Sequence, residues 1–252
     1  MAIFFSSNIF PYAFTSDFNK GFYWQSLPVP MKRFVTNASD AALLQLLADE
    51  AVAKWESAVG ANLWQLDDVT QSNSYSGNYI RWSDNFGAET GYDPNSTLAI
   101  TTRYNRGTYF EQVVIILNGN LNYLRQNSND ALRKTILHEI GHTLGLDHST
   151  DISAVMYPML GSTTILQADD IQGMTALVHQ TQYRQQTGYI SPYSASSDSS
   201  KKFAACGTVE EINKNGKGGG KAVGNFLGAL LLGIFMVKLA NSKKRSTVKV
   251  RY

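Results

Sequence analysis

The residue types with the most chemistry in this 252-residue chain fall in one run, His138-Glu139-Ile140-Gly141-His142-Thr143-Leu144-Gly145-Leu146-Asp147-His148. The run reads H-E-x-x-H-x-x-G-x-x-H. On a helix advancing about 100° per residue, His138 and His142 lie about 40° apart and one turn along, so both imidazoles reach one metal ion. Glu139 is rotated away from that pair but stays at its rim, where it can take a proton from activated water without being a ligand. Gly145 can take the left-handed conformation that ends a helix, and the turn returns His148 toward the same ion. Three neutral nitrogens leave a fourth position for water, the open arrangement of a catalytic zinc.

Other stretches must position this run. Ser128 or Asn129 is a suitable N-cap for the metal helix, with Asp130 favourable in its first turn. Leu132, Ile136, Leu137, Ile140 and Leu144 share one face, and the histidine pair points the other way. Upstream, residues 22–35 are aromatic and β-branched with Pro28 and Pro30, as in a first strand. Leu44, Leu47, Ala51, Trp55 and Ala58 then recur at three- and four-residue steps. They predict an amphipathic helix, started by Asn37 or Ser39, stopped by Gly60, with Trp55 in the core. Residues 61–126 read as β-rich, with strands over Asn78–Trp82, Thr97–Tyr104 and Tyr109–Leu117.

Downstream, Ser153-Ala154-Val155-Met156-Tyr157-Pro158-Met159 supplies a methionine turn. With it the histidine run resembles the metzincin metalloproteases. Ser149 after the third histidine, Met156-Tyr157-Pro158-Met159, and Leu166-Gln167-Ala168-Asp169-Asp170-Ile171-Gln172-Gly173-Met174 resemble the matrixin branch, so the specific resemblance covers about 128–178. It implies an α+β catalytic domain: a twisted, mostly parallel sheet with an edge strand, an active-site helix, a methionine turn and a C-terminal helix. It further implies one catalytic Zn2+ on His138, His142 and His148, Glu139 as general base, and Met156 as an apolar floor beneath the imidazoles. A substrate peptide would add antiparallel to the edge strand along Leu98, Ala99, Ile100 and on to Thr102. Lys134, Pro158 and Met159 would line the pocket for the residue after the scissile bond, where Leu160 replaces the family's usual tyrosine. Asp169 and Asp170 would brace the methionine turn or the N-terminal segment.

The sequence also departs from the family. Residues 61–126 contain no histidine, so no structural zinc is expected. Calcium is not supported by the irregular spacing of Asp84, Glu89 and Asp93. Cys206 is the only cysteine; it excludes an intramolecular disulfide and lies on the wrong side of the domain for the family's N-terminal latency cysteine. Phe14-Thr15-Ser16-Asp17 loosely resembles an astacin latency segment, with Ser16 where glycine belongs, and reads instead as an arm with a solvated aspartate. His179 reads as a surface residue.

A net charge of +2, with the basic residues concentrated near the C-terminus, gives no basis for nucleic-acid binding. No secretory signal is evident in the first twenty residues. The chain divides into an arm (1–20), a protease domain (21–180), a polar linker (181–221), an apolar run (222–240) and a basic tail (241–252). As a helix the apolar run would span about 28 Å, near the ~30 Å of a bilayer core, and it reads as a transmembrane helix. By the positive-inside tendency the basic tail would place the catalytic domain outside the cytoplasm, whereas a tail anchor without a secretory signal would leave it in the cytosol, and the sequence leaves both orientations open. Gly224 and Gly228 support self-association only weakly.

The reading is a membrane-tethered zinc endopeptidase acting on protein or peptide substrates. The alternative is a non-proteolytic, membrane-anchored structural or adhesion protein that keeps the fold; an intact Glu139 argues against it. A third reading is a self-processing protein that cuts its own arm or linker.

Overall fold

The computed structural model describes residues 10–126 and 130–194 and the backbone of 201–209. The first nine residues, the expected caps Ser128 and Asn129, the expected transmembrane run 222–240 and the basic tail lie outside the described residues. Among the described residues, no helix is long and apolar enough to cross a membrane.

The elements run α1 (Ser16–Asn19), β1 (Val29–Val35), α2 (Ala41–Val59), β2 (Trp64–Gln71), β3 (Tyr79–Ser83), α3 (Phe86–Thr90), β4 (Thr97–Arg106), β5 (Tyr109–Asn118), α4 (Asp130–Leu144), α5 (Ala168–Thr187) and β6 (Lys201–Val209). They build one sheet in the order β2-β1-β3-β5-β4-β6. Its first four strands are mutually parallel, whereas β4 runs antiparallel to both β5 and β6. This is the mixed sheet expected of a matrixin catalytic domain, with one added strand.

The helical stripe forms as its spacing dictates. Leu44, Leu47, Ala51 and Trp55 are all buried, and Gly60 ends α2 with its N–H on Glu56 O. Trp55 also donates from Nε1 to Leu137 O of α4 at 2.9 Å, locking the two helices together. The start differs from expectation. Asn37 caps a 3-10 turn over Ala38–Asp40, and α2 begins one step later behind Asp40.

Three sequence boundaries are corrected. Strand geometry begins at Val29 rather than 22. Residues 10–20 are integral to the fold: Asp17 and Phe18 are buried, and backbone hydrogen bonds run from Thr15 N to Gly145 O and from Asp147 N to Ala13 O. The stretch 181–221 is not linker throughout, because α5 continues to Thr187 and residues 201–209 form β6 beside β4. The expected edge strand, β4, is therefore an interior strand of the sheet. β2 was not anticipated. Only Trp64 is buried in it, so its sequence WQLDDVTQ shows no alternation.

Candidate active site

α4 carries the histidine run. Leu132, Ile136, Leu137, Ile140 and Leu144 are buried on its core side, and His138, Glu139 and His142 are buried as well. Its terminal carbonyls do not end in empty space. Arg103 Nη1 donates to His142 O at 2.6 Å and Trp24 Nε1 to Thr143 O at 3.0 Å, satisfying acceptors that a helix end leaves open. Gly145 follows with φ 114°, and the ring of Phe18 packs where its Cβ would stand, 3.1 Å away. This sharp turn brings His148 back to the first two histidines.

One ligand atom from each of His138, His142 and His148 lies within 4.8 Å of the others. The Nε2 atoms of His138 and His142 are 2.9 Å apart. The opposite ring nitrogens are anchored: His138 Nδ1 donates to Val155 O and His142 Nδ1 to Leu146 O, both at 2.7 Å. Those bonds fix the tautomer and aim each free Nε2 at a common point. Burial, reinforced by the neighbouring His148, lowers the His138 imidazole to about 3. Burial likewise holds His142 well below 6.5 and lowers His148. All three are thus neutral donors near pH 7, the form a divalent ion needs. A three-nitrogen donor set of this kind fits zinc.

The methionine turn closes the floor. Met156 is buried, and a Cβ on Gly141 would meet its Sδ at 2.6 Å. Only a glycine at 141 lets the thioether lie that close beneath the metal helix. Asp170 holds the turn by accepting from Val155 N and Met156 N, each at 2.9 Å, and from Gln167 N at 2.8 Å. Burial still raises its carboxyl above the usual range. Asp169 accepts from Tyr12 N at 2.9 Å and Ser149 Oγ at 2.6 Å, tying the N-terminal segment to the residue after His148.

The remaining expected residues are placed as follows. Leu98, Ala99 and Ile100 lie on β4; Ala99 and Ile100 pair with both β5 and β6, and Leu98 falls at the irregularity of the β6 ladder between Thr97 and Ala99. Lys134, Met159 and Leu160 line a narrow cavity beside His138, of about 10 Å³, room for one water. Pro158 is not in its wall. A larger open cavity of about 600 Å³, between α2 and residues 164–166, lies away from the histidines. His179 is exposed on α5. Asp84 pairs with Arg125 and Glu89 with Arg81, while Asp93 caps its own turn through Asn95 and Ser96. Among the described residues, the three histidines are the one group of three or more metal-binding side chains.

Three contributors were missed. Thr101 Oγ1 donates to Glu139 Oε2 at 2.5 Å. Arg103 and Asp17 form a buried ion pair beneath the end of α4, so Asp17 is neither solvated nor directed at the histidines. No local signal singles them out: β4, TLAITTRYNR, carries a third threonine, an asparagine and a second arginine besides Thr101, Thr102 and Arg103.

A buried helix offering two histidines, a third returned by a glycine turn and a methionine floor together define a metzincin-type zinc endopeptidase site. The family described as Matrixin matches residues 48–179, just over half of the chain, and the chain belongs to that family. It is 49% identical over 51 residues to interstitial collagenase of Oryctolagus cuniculus, covering 19% of this chain and 11% of that protein. It is 40% identical over 78 residues to macrophage metalloelastase of the same species, covering 29% and 17%. It is 46% identical over 52 residues to a putative matrix metalloproteinase of Spodoptera frugiperda ascovirus 1a, covering 18% and 13%. The matched segments span less than a fifth of each of these curated relatives.

Proposed function

We propose that the protein is a zinc-dependent endopeptidase that hydrolyses peptide bonds in protein substrates, with Glu139 as general base. The observation that carries this is the convergence of His138, His142 and His148 beside Glu139 on a buried helix of a matrixin domain. Zinc held there would polarise the scissile carbonyl and acidify water. Glu139 accepts the proton of the attacking water and delivers it to the leaving amine; Thr101 fixes its carboxylate meanwhile. Val155 O and Leu146 O hold the imidazoles in the donor tautomer, and the apolar floor at Met156 keeps them from turning. Lys134, Met159 and Leu160 bound the pocket for the side chain after the scissile bond, and its small volume favours short residues.

Comparing the full chain with Glu139→Ala on a mixed peptide library tests this reading. Cleavage should fall by about 10² to 10⁴ in the variant, which keeps its zinc, and should vanish on chelation. Equal cleavage by both chains would remove Glu139 from the reaction.

The tether through residues 222–240 belongs to the same proposal, as does a catalytic domain outside the cytoplasm. Both rest on the apolar run and the basic residues after it. Retention of the chain in membranes washed at alkaline pH tests the anchor; release would remove it.

A further inference from the structure

β4 passes directly over the metal helix, and its Thr101 touches Glu139. One side of β4 is taken up by β5. The other side presents a row of backbone N–H and C=O groups at the level of the candidate base. An extended peptide reaching Glu139 would engage such a row as an added strand.

The chain fills that row itself. β6 runs antiparallel along β4 from Thr97 opposite Val209 to Asn105 opposite Lys201. Cys206 stands opposite Thr101, Gly207 opposite Ile100 and Thr208 opposite Ala99. The covered positions include those expected to hold substrate. The ladder is irregular between Thr97 and Ala99 and again between Thr101 and Arg103, so only a short regular stretch spans the level of Glu139. Such breaks leave residues unpaired and weaken a ladder locally. A strand carried on the same chain also acts at an effective concentration of about millimolar, enough to compete with a free peptide.

We infer that residues 201–209 are a built-in competitive inhibitor: β6 occupies the peptide-binding edge of β4 and must leave before a substrate can pair there. This rests on the endopeptidase reading above.

Proline removes a ladder donor and is poorly tolerated within paired strands. In a regular antiparallel stretch, neighbouring residues alternate in aiming their N–H at the partner, so one of Cys206 and Gly207 must aim at β4. In the full zinc-loaded chain, Cys206→Pro or Gly207→Pro should lower KM for a library peptide about tenfold with kcat unchanged. A synthetic peptide of sequence KKFAACGTV, added to that variant, should raise KM again competitively. An unchanged KM in both variants overturns the inference. So does a parent chain found by mass spectrometry to be cut within 201–209, since the strand would then be substrate. Hydrogen exchange at Leu98–Arg103 separates these results from failure of the endopeptidase reading. With no hydrolysis by any chain, faster exchange in the proline variants supports β6 as the occupant of that edge, and equal exchange overturns it.

Discussion

Arg103 of β4 grips Asp17 of α1 with two parallel hydrogen bonds, Nε to Oδ2 at 2.8 Å and Nη2 to Oδ1 at 3.1 Å. Both side chains are shut off from solvent. The third nitrogen of the same guanidinium donates to His142 O, so one side chain joins the N-terminal segment, the sheet and the last turn of the metal helix. Bidentate geometry and the extra acceptor satisfy a buried cation that would otherwise be strongly destabilising.

Asp17→Asn should therefore cost about 3 kcal/mol in denaturant unfolding, since it leaves a buried guanidinium without its counter-charge. The pH dependence has a definite sign. Burial alone would raise the Asp17 carboxyl, but Arg103 outweighs it and the folded value lies below 3.8. An acid whose pKa is lowered by folding gives stability that is complete above its unfolded value and lost as pH falls through the folded one. The gap between parent and variant should stay constant from pH 7 to about 5 and shrink only below about 3.9. A gap that closes already by pH 5 would assign the titration to another group.

Thr101 makes a separate prediction, because its hydroxyl positions Glu139 without touching the histidines. Thr101→Val removes one buried hydrogen bond at nearly constant shape and should lower kcat about tenfold, with bound zinc unchanged. Thr101→Ser should restore most of the rate. Zinc loss in Thr101→Val, measured by metal analysis, would instead give the hydroxyl a role in holding the site together.

The metal site was legible because its chemistry is local. Two candidate ligands and the candidate base lie within one helical turn, and the third histidine and the methionine follow in short order. Helical periodicity exposed α2 and the buried face of α4 for the same reason. What stayed hidden depends on distant partners. Asp17 and Arg103 meet across 86 positions, and neither carries a local sign of the other. β2 is a polar strand with one buried residue, and β6 follows a polar stretch that reads as linker, so neither shows the alternation that marks a half-buried strand. The placement of β6 also turned the expected open edge into an interior strand, an outcome set by pairing rather than by the sequence of β4.

Asp170 links the final helix to the first zinc ligand in two steps. Its carboxylate accepts from Val155 N, and Val155 O accepts from His138 Nδ1. Asp170→Ala strips acceptors from three backbone donors and should destabilise the fold by about 3 kcal/mol or more. Groups that orient a metal-bound histidine typically contribute about 10- to 100-fold in affinity, so zinc binding should weaken within that range. A competition titration against a chelator measures it. Unchanged affinity in a folded Asp170→Ala chain would show that the methionine turn holds His138 without this brace.

Lys134 governs the last prediction, which concerns selectivity rather than rate. It lies one turn before His138 and shares the wall of the narrow cavity with Met159 and Leu160. Truncation in Lys134→Ala should lengthen the cavity without disturbing the histidines. Peptides with leucine or methionine after the scissile bond should then gain about tenfold in kcat/KM over those with alanine, the range that a few methylenes confer in an apolar pocket. Cleavage-site profiling of a peptide library by parent and variant reads this directly. An unchanged profile would mean that the lysine stem turns out toward solvent when substrate is bound, keeping its ammonium hydrated, and that Leu160 and Met159 alone set the pocket's depth.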